Sequence, residues 1–592
     1  MKDFPYFVMM CAVWRYVGDY KKQYLLSLAL MSVALIIWTL EPYFYGKLFN
    51  VIQKGLHIKE NLHTALYLVG IIFLVEALPW LLHGPGRIME RQAGFMVRQR
   101  FVDENYGKLQ KISYAWHQNF HSGQLFDRIR KAESALETFT SNQFRYLGLI
   151  FNFFGPVVAL TFLFPWFGLV CIAFCIVAAV VIIKYDKHLV PLYTFSNRLA
   201  HDYAGVFSDY MSNIRTIITL RLGGSTQAEL LQRYEARRTP QWKEYRLNEW
   251  KWFNIFLMSA FMAICLISIA ILSVHYDMAS FKIGSLVMLV QYINRFSQVF
   301  FDVGGLYQDV VKAATDYQST LIIDEAYNDY LQNSKDKNPV SSEVQWQSIK
   351  IEGLSFAYQD AQQRPHAIHD LTLNIASGEK IALIGASGSG KSTLMTLLRG
   401  LYRAEKGRVV IDGLAHPMDA LANITTLIPQ DPEIFENTIR YNITFGVEHS
   451  YEEIMHSCTI AGFDKVLNQL TDGLESDIRE KGVNLSGGQK QRLALARGVF
   501  AIQQSSLILL DEPTSSVDTV TEMRIFDRLF KQFPEKAIIA SVHRLHLLPR
   551  FDRIIVMEDG SIVEDGKFDD LIKGNGFLAN IWQEYQEEQK KN

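Results

Sequence analysis

Residues 146–183 carry no charged side chain. A membrane-crossing helix needs about 20 mainly apolar residues, so this stretch has room for two, folded back at "FPWFG", residues 164–168. Four further runs share its character. Residues 23–40 are uncharged and continue into "EPYFYG", and residues 61–83 are interrupted only by Glu76. Residues 252–276 read "WFNIFLMSAFMAICLISIAILSVHY", whereas 281–304 form the most polar run, with Gln291, Asn294, Arg295, Gln298 and Asp302. Six spans put both ends of the chain on one side of the bilayer. Hydrophobic residues make up 49% of the 592 and charged residues 20%, yet mean hydropathy is near zero. A greasy half averaged with an ordinary soluble half gives that balance.

The connections between runs are uneven. Residues 84–138 and 184–250 are long and rich in Arg and Lys, while the others are short. The positive-inside rule places the long segments, and both termini, in the cytoplasm. Their apolar periodicity predicts that the membrane helices run on past the bilayer for several turns. A helical pattern follows the sixth run until "QNSKDKNPVSS", which reads as a linker. The predicted organisation is a transmembrane domain over 1–331, a linker over 332–342 and a soluble domain over 343–592. Cys171 and Cys175 stand one helical turn apart and read as packing residues, and none of the five cysteines has metal-like spacing. The aromatic-rich N-terminus lacks a basic n-region and cleavage site; an interfacial helix is expected there. A net charge of −2 leaves no electrostatic footprint for nucleic acid.

Past the linker, short β-branched runs alternate with helical patterns, which predicts an α/β core. "KIALIGASGSGKST" is a buried strand, a Gly-rich loop and a helix start, and it satisfies G-x-x-x-x-G-K-[ST] through Gly385, Gly390, Lys391 and Ser392. Such a loop, with Ser387 and Gly388 inside it and Thr393 after it, closes backbone N–H groups around ATP phosphates. Lys391 then reaches the β and γ oxygens and Ser392 holds Mg2+. A second buried strand, "SLILLDEPTSSVD", ends in two acids. Asp511 is placed for Mg2+, and Glu512 for taking a proton from the attacking water. A third strand, "KAIIASVHR", brings His543 to where an imidazole would contact the γ-phosphate.

Between the first two strands lies "LSGGQ", residues 485–489. With this order of motifs the chain resembles the ATP-binding cassette transporters, specifically exporter-type half-transporters, over nearly its whole length. The resemblance implies an all-α six-helix transmembrane domain followed by an α/β P-loop ATPase domain. It also implies that two cassettes dimerise head to tail, the LSGGQ of one chain closing over ATP held by the P-loop of the other. The Ser486 hydroxyl and the amides of Gly487 and Gly488, with Gln489 completing the motif, would then face the γ-phosphate from a helix N-terminus. Tyr358 matches the aromatic that stacks on adenine. Gln430 matches the glutamine that senses Mg2+ and the γ-phosphate, and Asp518 the loop that crosses the dimer. Ser516 and Val517 there depart from the commoner Ala-Leu pair. Glu480, and the segments 116–131 and 208–220, match regions where membrane loops and cassettes meet.

The expected function is ATP-hydrolysing transport by alternating access in a dimer, most simply export or flipping of an amphipathic or polar cargo such as a peptide, lipid, glycolipid or drug. A homodimer is preferred, because every residue that one cassette contributes is present. An importer on the same fold, or one half of a heterodimer, stays open. The expected location is a bacterial inner membrane. Ionisable residues inside spans are costly and often face a cavity, so Glu41, Glu76, Arg295 and Asp302 either meet cargo, or some of them pair with one another or lie at the cytoplasmic rim.

Overall fold

The computed structural model describes the chain except residues 1–3, 119, 121, 164, 276–281, 335–344, 359–366, 432, 479–484, 504 and 592. Glu480 and most of the predicted linker therefore lie outside the described residues. The rest divides into two compact units, one of residues 1–110 and 122–325, the other of 111–121 and 326–592.

The first unit is helical. Its helices are α1 (Pro5–Tyr16), α2 (Lys21–Thr39), α3 (Glu41–Gln53) and α4 (Lys59–Leu109), then, past the five-residue α5 (Tyr114–Gln118) of the other unit, α6 (Ser122–Thr140), α7 (Gln143–Leu163) and α8 (Pro165–Ser212). They continue with α9 (Ile214–Thr219), α10 (Gly223–Ala236), α11 (Arg238–His275) and α12 (Ile283–Gln318), and α13 (Leu321–Ser334) leads into the second unit. At about 1.5 Å per residue the 51-residue α4 is roughly 75 Å long, more than twice the ~30 Å hydrocarbon layer. The periodicity of residues 84–109 thus continues the span as one helix. Two cores hold the unit. Met9, Val13, Val97, Phe101, Leu136 and Phe139 bury together with Val310 and Tyr317, and Leu160, Cys171, Met262 and Leu266 with Leu289 and Phe296. Helix α12 thus contributes to both, and Cys171 packs as expected.

Five helical stretches among the described residues, Gly18–Gln53, Lys59–Leu109, Gln143–Phe162, Trp166–Ser212 and Gly223–Leu272, are long and apolar enough to cross a membrane. The sixth expected span, α12, is helical but too polar to join them by composition. Its polar side chains have local work. The first run breaks at Leu40, because Pro42 has no N–H to give the Trp38 carbonyl one turn back. Arg295 Nη1 donates to that carbonyl at 2.6 Å, and Tyr292, one turn before it on α12, donates to Thr39 O at 3.0 Å. Arg295 also pairs with Glu41, and Glu76 approaches the same carboxyl. The geometry thus pairs Glu41 with Arg295, while Asp302 lies two turns further along α12. The start of α12 is capped from α3, with Gly284 N donating to Asn50 Oδ1 at 2.8 Å and Ile283 N to Gln53 Oε1 at 2.9 Å.

Among its described residues the second unit is built on ten strands: β1 (Ser348–Phe356), β2 (Ile368–Ala376), β3 (Lys380–Ile384), β4 (Lys406–Ile411), β5 (Leu414–His416), β6 (Thr425–Ile428), β7 (Leu507–Asp511), β8 (Ala537–Ser541), β9 (Arg553–Glu558) and β10 (Ser561–Gly566). One sheet runs β2-β1-β4-β5 and the other β10-β9-β3-β8-β7-β6. Among the described residues of the larger sheet only β10 is antiparallel to its neighbour. Every residue of β3, β7 and β8 is buried, which is why these strands read as unbroken apolar runs. Alternate side chains go to opposite faces. Ala382, Ile508 and Ile538 join a core with helices α15 (Ile439–Thr444), α16 (Tyr451–Ile460), α17 (Asp464–Leu467), α18 (Gly487–Ile502) and α19 (Thr519–Gln532). Ile381, Leu507 and Ile539 join the smaller sheet and α14 (Lys391–Leu398). The last helices, α20 (Phe568–Leu571) and α21 (Phe577–Lys591), follow β10.

Candidate nucleotide site

The larger sheet decides where the motifs meet. Strands β9, β3, β8, β7 and β6 are parallel, and the loops at the carboxyl ends of four of them carry the P-loop after β3, His543 after β8, Asp511 and Glu512 at β7, and Gln430 after β6. In parallel sheets the crevice outside these ends is where ligands bind.

The P-loop bends through Gly385, Gly388 and Gly390, with φ of +148°, +84° and +102°. A Cβ on Gly385 would lie 2.2 Å from Met557 O, so backbone packing as well as φ demands glycine there. Lys391 begins α14 and is buried; its Nζ donates to Gly385 O at 2.8 Å and Ala386 O at 3.0 Å. Burial holds this ammonium below the ordinary lysine range, with Glu512 and Asp511 pulling the other way. Tyr358 exposes its ring, 39% accessible, beside the loop, and its hydroxyl lies 3.1 Å from Thr393 Oγ1.

Asp511 is buried, and burial pushes its carboxyl above the usual range while the Ser392 hydroxyl beside it opposes the shift. Among the described residues its Oδ1 finds no hydrogen-bond partner. An orphaned carboxylate oxygen next to a serine hydroxyl is a hard-oxygen donor set of the kind Mg2+ takes, so the residues present fit that ion. Glu512 follows in the left-handed region, φ +44°, a conformation that costs a non-glycine residue roughly 1–3 kcal/mol and persists where surrounding structure imposes it. Its two oxygens are both engaged: Gln430 Nε2 donates to Oε2 at 2.8 Å, and His543 Nε2 is 2.5 Å from Oε1. Glu512, Ser541 and His543 line a cavity of about 100 Å³, room for water.

The LSGGQ segment forms the start of α18. Ser486 Oγ accepts from Gln489 N at 3.3 Å, and Gln489 Oε1 accepts from Ser486 N at 2.8 Å, a reciprocal cap. The hydroxyl keeps its own hydrogen to donate, and the first-turn amides of Gly487 and Gly488 have no intrahelical partner. A Cβ on Gly488 would stand 2.6 Å from Ser516 O. Gly488→Ala is therefore expected to displace the 515–518 loop and lower ATP turnover about tenfold, a barrier raised by ~1.4 kcal/mol, with ATP affinity kept; steady-state hydrolysis and ATP titration check both parts. Asp518, expected to cross a dimer, caps α19 here by accepting from Thr521 N at 2.9 Å.

Two residues that the motifs did not flag tie the site together. Gln491 donates to Ser515 Oγ and accepts from Ser516 N, both at 2.7 Å, joining α18 to the 515–518 loop. Arg544 donates to Val517 O at 2.6 Å and Ser515 O at 3.1 Å, and its guanidinium meets buried Glu522 at 3.0 Å. Their positions beside LSGGQ and His543 were the only signal in the sequence.

Comparison with known proteins agrees with this layout. The family model "ABC transporter transmembrane region" matches residues 24–300, and the model "ABC transporter" matches 368–515. The chain belongs to the ABC transporter family, as a membrane region fused to one ATP-binding domain, and is an ATPase-coupled membrane transporter chain. An uncharacterized ABC transporter ATP-binding protein of Bacillus subtilis is 24% identical over 578 residues, 96% of this chain and 93% of that one. An ATP-dependent lipid A-core flippase of Methylobacillus flagellatus is 38% identical over 240 residues, but the match covers only 40% of either chain. The solved structure of a bacterial Atm1-family ABC exporter with ATP bound superposes with a TM-score of 0.78 at 22% identity, over 96% of this chain and 99% of that one. The fold is thus of the exporter type.

Proposed function

We propose that two copies of this chain form an ATP-driven exporter or flippase for an amphipathic or polar cargo, in a bacterial inner membrane with the ATPase units cytoplasmic. The observation that carries this reading is Glu512, held between Gln430 and His543 at the end of β7, beside Asp511 and its orphaned oxygen. Glu512 accepts the proton of the attacking water, and Gln430 and His543 orient its carboxylate. Asp511 and Ser392, with Gln430 in reach of Glu512, would hold Mg2+, which neutralises charge on the phosphate oxygens. Lys391 leaves its loop carbonyls for phosphate oxygens, the stronger acceptors because they are charged. Tyr358 stacks on the base. The donors at Ser486, Gly487 and Gly488 close over nucleotide held by the second copy, so the phosphate joins the two cassettes and its hydrolysis releases them. That cycle drives alternating access in the membrane helices. The flippase relative, matched over 40% of this chain, supports a lipid-like cargo.

The chain alone, purified into lipid vesicles, is expected to hydrolyse ATP only with Mg2+. A folded, ATP-binding preparation without hydrolysis would mean that LSGGQ serves a different partner chain, and the homodimer would be abandoned.

A further inference from the structure

Glu512 and His543 meet from two different loops, one after β7 and one after β8. Glu512 also holds a left-handed backbone, φ +44°, which persists where neighbours impose it. Those neighbours converge on one side chain. Glu522, in the first turn of α19, keeps its side chain only 4% accessible. Its Oε1 accepts from Thr514 Oγ1 at 2.6 Å. Thr514 stands two residues past Glu512, in a turn closed by Ser515 N donating to Glu512 O at 3.3 Å. Its Oε2 accepts at 3.0 Å from Arg544, the residue after His543, and His546 Nε2 stands 3.3 Å from the same oxygen. Arg544 reaches on to Ser515 O and Val517 O. One buried carboxylate thus binds both loops, and a satisfied polar network of this kind makes its surroundings rigid.

We infer that Glu522 is a positioning residue for hydrolysis: it sets the spacing of Glu512 and His543 by holding the residues that follow them. The inference rests on the reading that Glu512 is the base. Glu522 is too deeply buried to meet nucleotide, so it acts through Glu512 and His543 alone. The Arg544 guanidinium offsets its charge, which lets the carboxyls of Glu512 and Glu522 line one cavity of about 100 Å³ without strong repulsion. A base displaced by about 1 Å from the attacking water can lose on the order of 100-fold in rate, and a left-handed residue without its support is free to move that far. Only the fold brings Glu522 to both loops.

The test uses the full chain in lipid nanodiscs, with ATP binding and release of labelled phosphate followed on each preparation. Glu522→Gln keeps the shape of the side chain and removes the charge that holds Arg544. It is expected to lower kcat about 10- to 100-fold, with ATP affinity within about twofold of the parent. Combined with Glu512→Gln, it should deepen the loss of that single variant by less than about twofold, because no base is left to position. A general loosening of the cassette would add its own loss and weaken ATP binding. Thr514→Val removes only the hydroxyl and should also lower kcat, whereas Thr514→Ser restores it and should recover most of the parent rate. That pair decides the matter if Glu522→Gln does not fold. Parent-like kcat in Glu522→Gln or Thr514→Val, losses that multiply in the double variant, or no recovery in Thr514→Ser would overturn the positioning role. Parent-like turnover in Glu512→Gln would overturn the base reading itself.

Discussion

Glu512→Gln should stop turnover and leave ATP bound. The amide has the size and shape of the carboxylate, so it fits the left-handed position at φ +44°, and it can still meet Gln430 and His543 by turning its oxygen or nitrogen toward each. What it cannot do is accept a proton. General-base assistance is worth about 10²–10⁴-fold, and hydrolysis should fall by that amount while ATP affinity stays within about twofold of wild type, a free-energy change below ~0.5 kcal/mol. Phosphate release and an ATP titration on one preparation decide it. Turnover close to wild type would remove Glu512 from the role of base, and a parallel loss of affinity would point to a site collapsed by the substitution.

Lys391→Ala should act at binding. In the free site Lys391 is buried and spends its hydrogens on Gly385 O and Ala386 O. Those carbonyls belong to the P-loop itself, so in the free site the loop holds the lysine where phosphate oxygens would take over its hydrogens. A hydrogen bond to a charged group is worth ~1.5–3 kcal/mol, so ATP affinity should weaken roughly 10- to 150-fold. Lys391→Met, which keeps most of the stem, separates charge from packing: it should lose affinity equally if charge is what matters. ATP-dependent protection against thermal unfolding gives an independent reading, because stabilisation follows ligand occupancy. Undiminished affinity in both variants would exclude Lys391 from phosphate binding.

Much of this could be read along the chain. Residues 146–183 had to be buried in lipid or protein because they are almost wholly apolar and carry no charge, and Ile381–Leu383 and Leu507–Leu510 had to be interior strands because they are unbroken apolar runs. The P-loop was legible because its chemistry is contiguous: the same few residues supply the bend, the N–H groups and the lysine. Helix α12 was less legible. Its polar residues leave it short of a membrane helix by composition, and nothing in the sequence places Arg295 against Glu41 and the Trp38 carbonyl, the two groups it meets in the fold.

The sequence alone thus determined which segments are apolar enough to span, where phosphate-binding backbone must lie, and which acids and imidazole stand at strand ends, because each follows from local composition or spacing. Only the tertiary structure decided that Gln430 and His543 share the two oxygens of one carboxylate, that Gln491 ties α18 to the 515–518 loop and Arg544 ties that loop to Glu522, and that Tyr402 stands between Tyr358 and Tyr114. Those pairings join residues far apart in the chain, and their geometry is set by strand order and by packing on both faces of the sheet, which no single segment encodes.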